Sequence, residues 1–352
     1  MLRKILTSTI ALTTFSCVDA QDSTKGPSYK LSGSADVYYR YNFQNPKAAP
    51  FNNFTSFTNS QNSFELGMAS IKVEHSIGKV GMVADLGFGK RADEFSYNDG
   101  GSRVAIKQLY ISYAPSSKIK LTMGTCGTHI GYEVLDAYLN RNYSMSYMFT
   151  YGPFFHTGIK SEFTLSPKTV LMVGLCNPSD LKTASKMPKM FITQLATGSK
   201  DDKFKAYINY QGGNYNDSGR LYQEDLVLTY ALSSKFSLGY NGTYQNKQAR
   251  INNKWLTGNS WWGSALYASV DPKPYFGLIL RSEYINDKKN VLGFNGNVFE
   301  STLSANFKVD NLIIIPEFRF DNGSFTPGIF QTSTGAATKS TETFLLAAVY
   351  KF

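Results

Sequence analysis

The chain has 352 residues, of which 14% are aromatic, and a formal net charge of +10 at pH 7. The basic residues are dispersed rather than clustered, which disfavours nucleic-acid binding despite the positive charge. Beyond the N-terminus no continuous apolar run reaches the roughly 20 residues of a transmembrane helix, so a helical membrane protein is excluded. Many Tyr, Phe and Gly residues are instead typical of a β-barrel wall that is apolar outside and hydrated inside.

The N-terminal residues have the pattern of a secretory signal peptide. Two basic residues precede a mainly apolar run, which ends in a small-residue cleavage pattern at Ala20. We therefore expect a signal peptide over residues 1–20 and a mature protein, residues 21–352, outside the cytoplasm. Lipidation at Cys17 is disfavoured because the branched aliphatic residue that usually stands three positions before such a cysteine is missing.

About 16 segments of the mature chain alternate apolar and polar residues with the period of two that is typical of β-strands. They lie near residues 29–43, 62–76, 79–91, 103–114, 117–127, 154–165, 169–177, 189–198, 203–211, 221–231, 235–245, 260–270, 275–285, 297–309, 312–321 and 340–352. Short, turn-like connections alternate with longer loops rich in Asn, Gly and Ser, without exception. The alternation predicts an all-β fold: a transmembrane antiparallel up-and-down β-barrel of about 16 strands, with short periplasmic turns and long extracellular loops. A soluble secreted all-β protein is the alternative class, and it has no reason to keep this alternation.

Several segments divide plainly into an apolar and a polar face. In the first segment Asp36 and Arg40 lie opposite Val37, whereas in the segments 62–76 and 260–270 the alternation slips and the orientation stays open. Polar faces need water, and a barrel of 16 strands is wide enough to enclose a channel. The candidate pore-lining residues are Asp36, Arg40, Lys120, His156, Lys160, Glu162, Arg281, Glu283, Glu317 and Arg319.

Basic side chains slightly outnumber acidic ones on the inward faces. Such a lumen would concentrate anions and favour their passage. The alternative is that many of the lysines lie at the barrel rims, where they neutralise lipid phosphates.

Two stretches in the middle of the chain carry a family resemblance. They are NYSMSYMF at residues 142–149 and GPFFHTG at residues 152–158. With the secretory start, the tyrosine-rich first strand and the aromatic last strand, they resemble the second family of outer-membrane β-barrel porins, of the Bacteroidetes type, over most of the mature chain. The resemblance implies a pore in the outer membrane of a Gram-negative bacterium and supplies no catalytic residue.

The longest connection, residues 128–153, follows the fifth segment. In general porins the loop at this position folds inward and narrows the pore, and we expect the same here by analogy of position. The candidate constriction residues are Glu133, Asp136 and Arg141, with the two acidic residues on one side of a short helix at residues 133–140 and facing an inward arginine. The alternative is an ordinary surface loop that carries a solvated helix.

Catalytic and metal-binding patterns have little support. The three histidines, His75, His129 and His156, lack the partners found in barrel hydrolases, so we expect no enzyme. Cys126 and Cys176 fall on the fifth and seventh segments, and the strand between them puts the two beyond disulfide reach. We predict free thiols, no metal site and no cofactor.

The sequence therefore predicts an outer-membrane porin for passive diffusion of small hydrophilic solutes, with anions favoured. Its expected partners are outer-membrane lipid and these solutes. Apolar outward faces suit lipid and neighbouring copies of the chain equally, which leaves a homo-oligomer open. The alternative function is a closed barrel that acts as a surface receptor or adhesin through its extracellular loops.

Overall fold

The computed structural model describes residues 27–324 and 328–352, so the predicted signal peptide and Cys17 lie outside the described residues. All predicted strand segments are confirmed. The strands are β1 Ser28–Asn42, β2 Ser63–Ile77, β3 Val80–Phe88, β4 Ile106–Ser116, β5 Ile119–Gly127, β6 Phe155–Ser166, β7 Thr169–Cys176, β8 Met190–Gly198, β9 Phe204–Asn214, β10 Gly219–Ala231, β11 Phe236–Ile251, β12 Asn259–Lys273, β13 Phe276–Asn286, β14 Asn297–Val309, β15 Leu312–Gly323 and β16 Ser340–Lys351. Short strands at Lys254–Trp255, Phe330–Gln331 and Ala337–Thr338 extend the connections.

The sheet closes on itself as an antiparallel barrel of 16 strands. Each strand pairs with its sequence neighbours, and β1 pairs with β16 so that Val37 lies opposite Ala348. Closure leaves the sheet without an open edge, so every backbone ladder has a partner where water is absent. The predicted fold class is confirmed.

The helices are short. They are α1 Lys90–Phe95 and α2 Tyr147–Tyr151, with single 3₁₀ turns at Gly101–Ala105 and Ala137–Leu139. None of the helices in the described ranges has the length and apolar character to cross a membrane.

The connections differ between the two ends of the barrel. One end, the turn end, carries the connections 78–79, 117–118, 167–168, 199–203, 232–235, 274–275 and 310–311. The other, the loop end, carries the connections 43–62, 89–105, 128–154, 177–189, 215–218, 252–258, 287–296 and 324–339. We call 128–154 the long loop.

The alternation of short and long connections has one exception, so the prediction is wrong at residues 215–218. Gly213 adopts φ +143, a conformation that favours glycine, and β9 continues to Asn214 opposite Arg220. The extended pairing of β9 and β10 leaves only a tight turn where a loop was predicted.

The two faces of the wall alternate as expected. Large apolar side chains point outward, such as Leu66 (76% exposed) and Met123 (69% exposed), whereas inward side chains are mostly polar. A β-bulge explains the slip in β2, because Asp36 pairs with Met68 and Val37 pairs with Leu66, which leaves Gly67 unpaired. A side chain at Gly67 would collide with the Asp36 carboxylate.

The slip in β12 has a different cause. Its inner face carries Trp261, Ala265 and Tyr267, which pack against Tyr147 and Met148 of the long loop. The inner wall of β12 is therefore apolar where the loop covers it. The main apolar cluster of the protein lies inside the barrel, between this wall and the loop.

Candidate functional site

The long loop crosses the interior of the barrel. The backbone N–H of Gly131 donates to Asp225 on β10 at 3.0 Å, and the Tyr132 ring stacks on Tyr267 of β12 with centroids 4.0 Å apart. The loop connects β5 and β6, and in the ring of 16 strands β10 lies four strands from β6 and β12 lies six strands from it. The loop therefore reaches the opposite wall through the interior.

The loop continues toward the turn end. Arg141 donates two hydrogen bonds to the Asp271 carboxylate, at 2.9 and 2.7 Å, near the last residues of β12. Next to it, Asn142 donates to Ser304 of β14 at 2.6 Å. A bidentate arginine–carboxylate pair fixes both distance and orientation, so Arg141 anchors the deepest part of the loop.

Two wall carboxylates hold the backbone of the segment 142–149. Glu317 accepts the N–H groups of Tyr143 at 2.8 Å and Ser144 at 3.2 Å. Glu283 accepts those of Tyr147 and Met148, both at 2.7 Å. The first N–H groups of a helix have no partner within it, so Glu283 caps α2 from the wall.

The helix predicted over residues 133–140 is wrong. Only Ala137–Leu139 form a 3₁₀ turn, because the Asn140 side chain bonds both the N–H of Val134 at 3.1 Å and its carbonyl at 2.6 Å. Asparagine side chains that bond nearby backbone compete with helix formation. The α-helix begins instead after Ser146, whose hydroxyl accepts from the Phe149 N–H, and serine is a preferred N-cap.

The two acidic constriction candidates have different partners. Glu133 accepts from Arg281 at 2.6 Å, and Arg281 also donates to Glu300 at 3.0 Å. Asp136 instead pairs with Lys107 of β4 at 2.5 Å. Glu133 therefore faces an inward arginine, whereas Asp136 faces a lysine. The inward orientation of Lys107 was not predicted from the sequence, because the register shifts between β3 and β4 next to this residue.

The remaining arginine candidates hold loops to the wall. Arg40 donates to the Phe51 carbonyl at 3.1 Å in the loop 43–62. Arg319 donates to the Met145 carbonyl at 2.8 Å and pairs with Asp321. The candidates on β1, β13 and β15 all point inward and are buried beneath these loops: Asp36, Arg40, Arg281, Glu283, Glu317 and Arg319.

A second group of inward charges keeps access to water. Lys160 pairs with Glu162 on β6 at 3.2 Å, and their side chains are 26% and 21% exposed. Lys72 pairs with Glu74 on β2 at 3.0 Å, with 28% and 31% exposed. Lys120 of β5 lies opposite Glu162 in the register. The inward orientation of Lys72 and Glu74 could not be predicted, because the bulge at Gly67 interrupts the alternation of β2.

His156 is buried where the long loop leaves the wall. Its Nε2 lies 3.2 Å from the Thr128 hydroxyl and its Nδ1 lies 3.8 Å from the Cys176 thiol. Cys126 and Cys176 are both free, which confirms the predicted thiols. Within residues 27–324 and 328–352, no group of three or more His, Cys, Asp and Glu side chains could hold a metal ion.

A cavity of about 850 Å³ lies at the loop end, between the loops 43–62, 89–105 and 177–189 and the long loop. Asp180 joins three of these loops. Its carboxylate accepts the N–H groups of Phe154 at 2.7 Å and Phe155 at 3.0 Å, and the Tyr97 hydroxyl at 3.2 Å. Burial raises the pKa of Asp180 to about 6.

Solved outer-membrane proteins share this fold at low sequence identity. The outer membrane channel DcaP of Acinetobacter baumannii is 13% identical with a TM-score of 0.63, over 94% of this chain and 99% of that one. An anion-selective porin from Comamonas acidovorans is 10% identical with a TM-score of 0.62, over 93% and 100%. The trimer form of OmpT from Vibrio cholerae is 9% identical with a TM-score of 0.57, over 93% and 100%.

Sequence comparison identifies the family. No curated protein is significantly similar to the chain. The family model described as "Putative beta-barrel porin-2, OmpL-like" matches residues 28–352, which is nearly all of the chain that the structure describes. The chain therefore belongs to this family of β-barrel porins, in the outer membrane of Gram-negative bacteria.

Proposed function

We propose that this porin lets small hydrophilic anions diffuse passively through the barrel, along the wall formed by β2 to β6. The observation that carries the proposal is the group of partly exposed inward charges on this wall. Lys72, Lys120 and Lys160 lie on this wall, and Lys30 of the neighbouring β1 pairs with Glu74. Their acidic counterparts are Glu65, Glu74 and Glu162, so the lysines are in excess by one. An excess of one sign of charge along a narrow aqueous path raises the local concentration of the opposite ion.

The long loop is the proposed constriction. It packs against β10 to β15 and is also tied to β4 through Asp136 and to β1 through Tyr143, so the proposed solute path is the remaining space beside β2, β5 and β6. In this arrangement Glu133, Asp136 and Arg141 set the position of the loop through ion pairs with the wall. We expect solutes to meet the lysines of β2, β5 and β6 rather than these paired side chains.

The experiment is the reversal potential of the refolded mature protein in a planar bilayer under a salt gradient. Replacement of Lys72, Lys120 and Lys160 by Gln removes three positive charges from the path. We expect the ratio of anion to cation permeability to fall by about threefold or more, because the attraction for anions is lost. The matched control replaces the same three residues by Arg, which keeps the charge and should keep the selectivity.

The proposed anion path is wrong if the Gln and Arg variants have the same reversal potential. A cation preference of the unmodified protein would also contradict it. Both variants must first migrate as folded barrels in unheated gels.

One observation favours a second function. Arg40, Arg281 and Arg319 are buried under loops, so much of the interior is filled. A filled interior would conduct poorly, and it is compatible with a surface receptor or adhesin. The absence of conductance from a protein shown to be folded would favour this closed-barrel function.

Self-association is a further part of the proposal. Outward side chains such as Leu266 (63% exposed) and Ile111 (60% exposed) suit a neighbouring barrel as well as lipid. One protein of the same fold, OmpT of Vibrio cholerae, is described as a trimer form. The mass of the detergent-solubilised protein by light scattering, corrected for bound detergent, tests whether this porin is also an oligomer.

A further inference from the structure

The cavity at the loop end is a second candidate binding site, distinct from the charged wall of the proposed channel. It lies at the loop end of the barrel, between four loops and the adjoining ends of β8 to β11. Its volume of about 850 Å³ is in the range of small-molecule sites.

Aromatic rings line this cavity and are held in place. Tyr97 is 59% exposed, and its ring meets Phe154 edge-on at 90° with centroids 6.1 Å apart. Phe154 in turn stacks on Phe95 at 5.8 Å. Tyr151 and Tyr215 complete the set of rings that face the cavity. The negative face of such a ring attracts C–H groups that neighbouring oxygens polarise.

Side-chain amides also line the cavity. Gln211 accepts from Ser179 at 2.7 Å and donates to Gln223 at 2.7 Å, which fixes its orientation. Asn98 donates to the Asp180 carbonyl at 3.1 Å. An amide both donates and accepts, so it matches hydroxyl groups, which do the same.

The charges of the cavity argue against an anionic ligand. Glu94 and Asp180 line it with only Lys247 as a basic residue. Both carboxylates are already engaged by backbone N–H groups, Glu94 with Phe57 at 2.7 Å and Asp180 with Phe154. They hold the loops together, and their charge would repel an anion.

We propose that this cavity binds a neutral oligosaccharide of a few rings before it enters the channel. Sugar rings present C–H faces to the tyrosines and hydroxyl edges to the amides, which is the combination that the lining offers. The inference adds a solute class to the proposed porin function, and only its link to transport rests on that function.

Binding is measured by isothermal titration calorimetry on the full mature chain, refolded in detergent, with maltotriose, cellotriose and triacetylchitotriose. Tetraethylene glycol serves as a ringless polar control. We expect saturable binding of at least one trisaccharide and none of the glycol. The double variant Tyr97→Ala, Tyr215→Ala should weaken binding at least about tenfold, as expected when ring contacts are lost.

The matched control is Tyr230→Ala with Tyr244→Ala, two outward tyrosines that are each 44% exposed. It should bind as the unmodified protein does. A second variant, Met187→Trp, places a bulky indole ring in the cavity lining without removing a side-chain hydrogen bond and should also weaken binding. The proposal is overturned if none of the three sugars binds, or if the cavity variants bind them as tightly as the control variant.

The two proposals fail in different ways. Loss of sugar binding in the cavity variants should leave the reversal potential in salt unchanged, since the lysines of the wall are intact. Absence of conductance would overturn the channel proposal, whereas the calorimetric result would still decide the binding site.

Discussion

At the scale of single residues, buried carboxylates in this porin bind backbone N–H groups at several places. Glu283 and Glu317 hold the long loop, Asp180 holds its end, and Asp287 accepts from Val291 at 2.7 Å in the loop 287–296. Loops folded into a barrel carry backbone donors that cannot reach water, and each must find an acceptor. A carboxylate can accept several such bonds at once, which suits it to this role.

The pKa of Asp180, raised to about 6 by burial, predicts a pH dependence. Because this pKa lies above that of an unfolded aspartate, about 3.8, the folded state binds more protons between these two values. The contribution of Asp180 to the unfolding free energy is therefore more favourable near pH 4 and is lost as the pH rises through 6. We expect the segment 177–189 to resist proteolysis better at pH 4.5 than at pH 7.5.

The variant Asp180→Asn isolates this effect, because the amide is neutral at both pH values. Its protection should change less between pH 4.5 and 7.5 than that of the unmodified protein. Asp217→Asn, in the exposed turn 215–218, serves as the control and should keep the original pH dependence. Equal pH dependence in the Asp180→Asn and Asp217→Asn variants would show that another group titrates. A protease active across this range, such as proteinase K, with mass spectrometry of the fragments, gives the measurement.

At the scale of elements, the long loop is held by the wall rather than by its own secondary structure. Its only α-helix is α2, and the first N–H groups of that helix are capped by Glu283. The position of the loop in the chain predicted that it folds inward. The location of the helix was not predictable in the same way, because the capping carboxylate lies far away in sequence.

The change Glu283→Gln tests this clamp. A Gln side chain has one carbonyl oxygen, and its NH₂ group would face an N–H donor of Tyr147 or Met148. A buried donor left without an acceptor costs about 1–3 kcal/mol. We expect a mobile loop, seen as additional conductance levels and faster proteolysis within residues 128–154, while the barrel itself stays folded.

Glu224→Gln, on the exposed outer face of β10, is the matched control for this clamp. It should behave as the unmodified protein. A steady single conductance level in the Glu283→Gln variant, with normal protease resistance, would contradict the role of this clamp.

At the scale of the whole molecule, closure of the sheet makes every strand a central strand. Ala348 of β16 lies between Val37 of β1 and Ile314 of β15. Proline in a central strand removes a ladder hydrogen bond and is tolerated only at edges or bulges. Ala348→Pro should therefore reduce the refolding yield severalfold, measured by the heat-modifiable migration of the folded barrel in gels.

The control for the Ala348→Pro experiment is Ser333→Pro. Ser333 lies in the tight turn formed by residues 332–335, where the Gly335 N–H donates to the Thr332 carbonyl. Proline suits the second position of such a turn, so this variant should refold normally. Normal refolding of Ala348→Pro would mean that β16 does not pair on both sides.

The sequence by itself determined the barrel, its strands and the inward faces. A strand with one face toward lipid and one toward water has apolar and polar residues in alternation, and this alternation is visible in the sequence. The predicted inward charges of β1, β13 and β15 lie on the inner wall. The sequence also led us to expect that Glu133 faces an inward arginine, and in the structure it pairs with Arg281. These features depend on local alternation and on order along the chain.

Only the tertiary structure decided which inward charges are covered. Arg281 and Arg319 differ from Lys72 and Lys160 because the long loop packs on the wall around β13 and β15 and leaves the β2 and β6 wall more open. The bulge at Gly67 and the capping of α2 by Glu283 were also visible only in the tertiary structure. In each case the partner is distant in sequence, and local periodicity does not record contacts across the interior of a barrel.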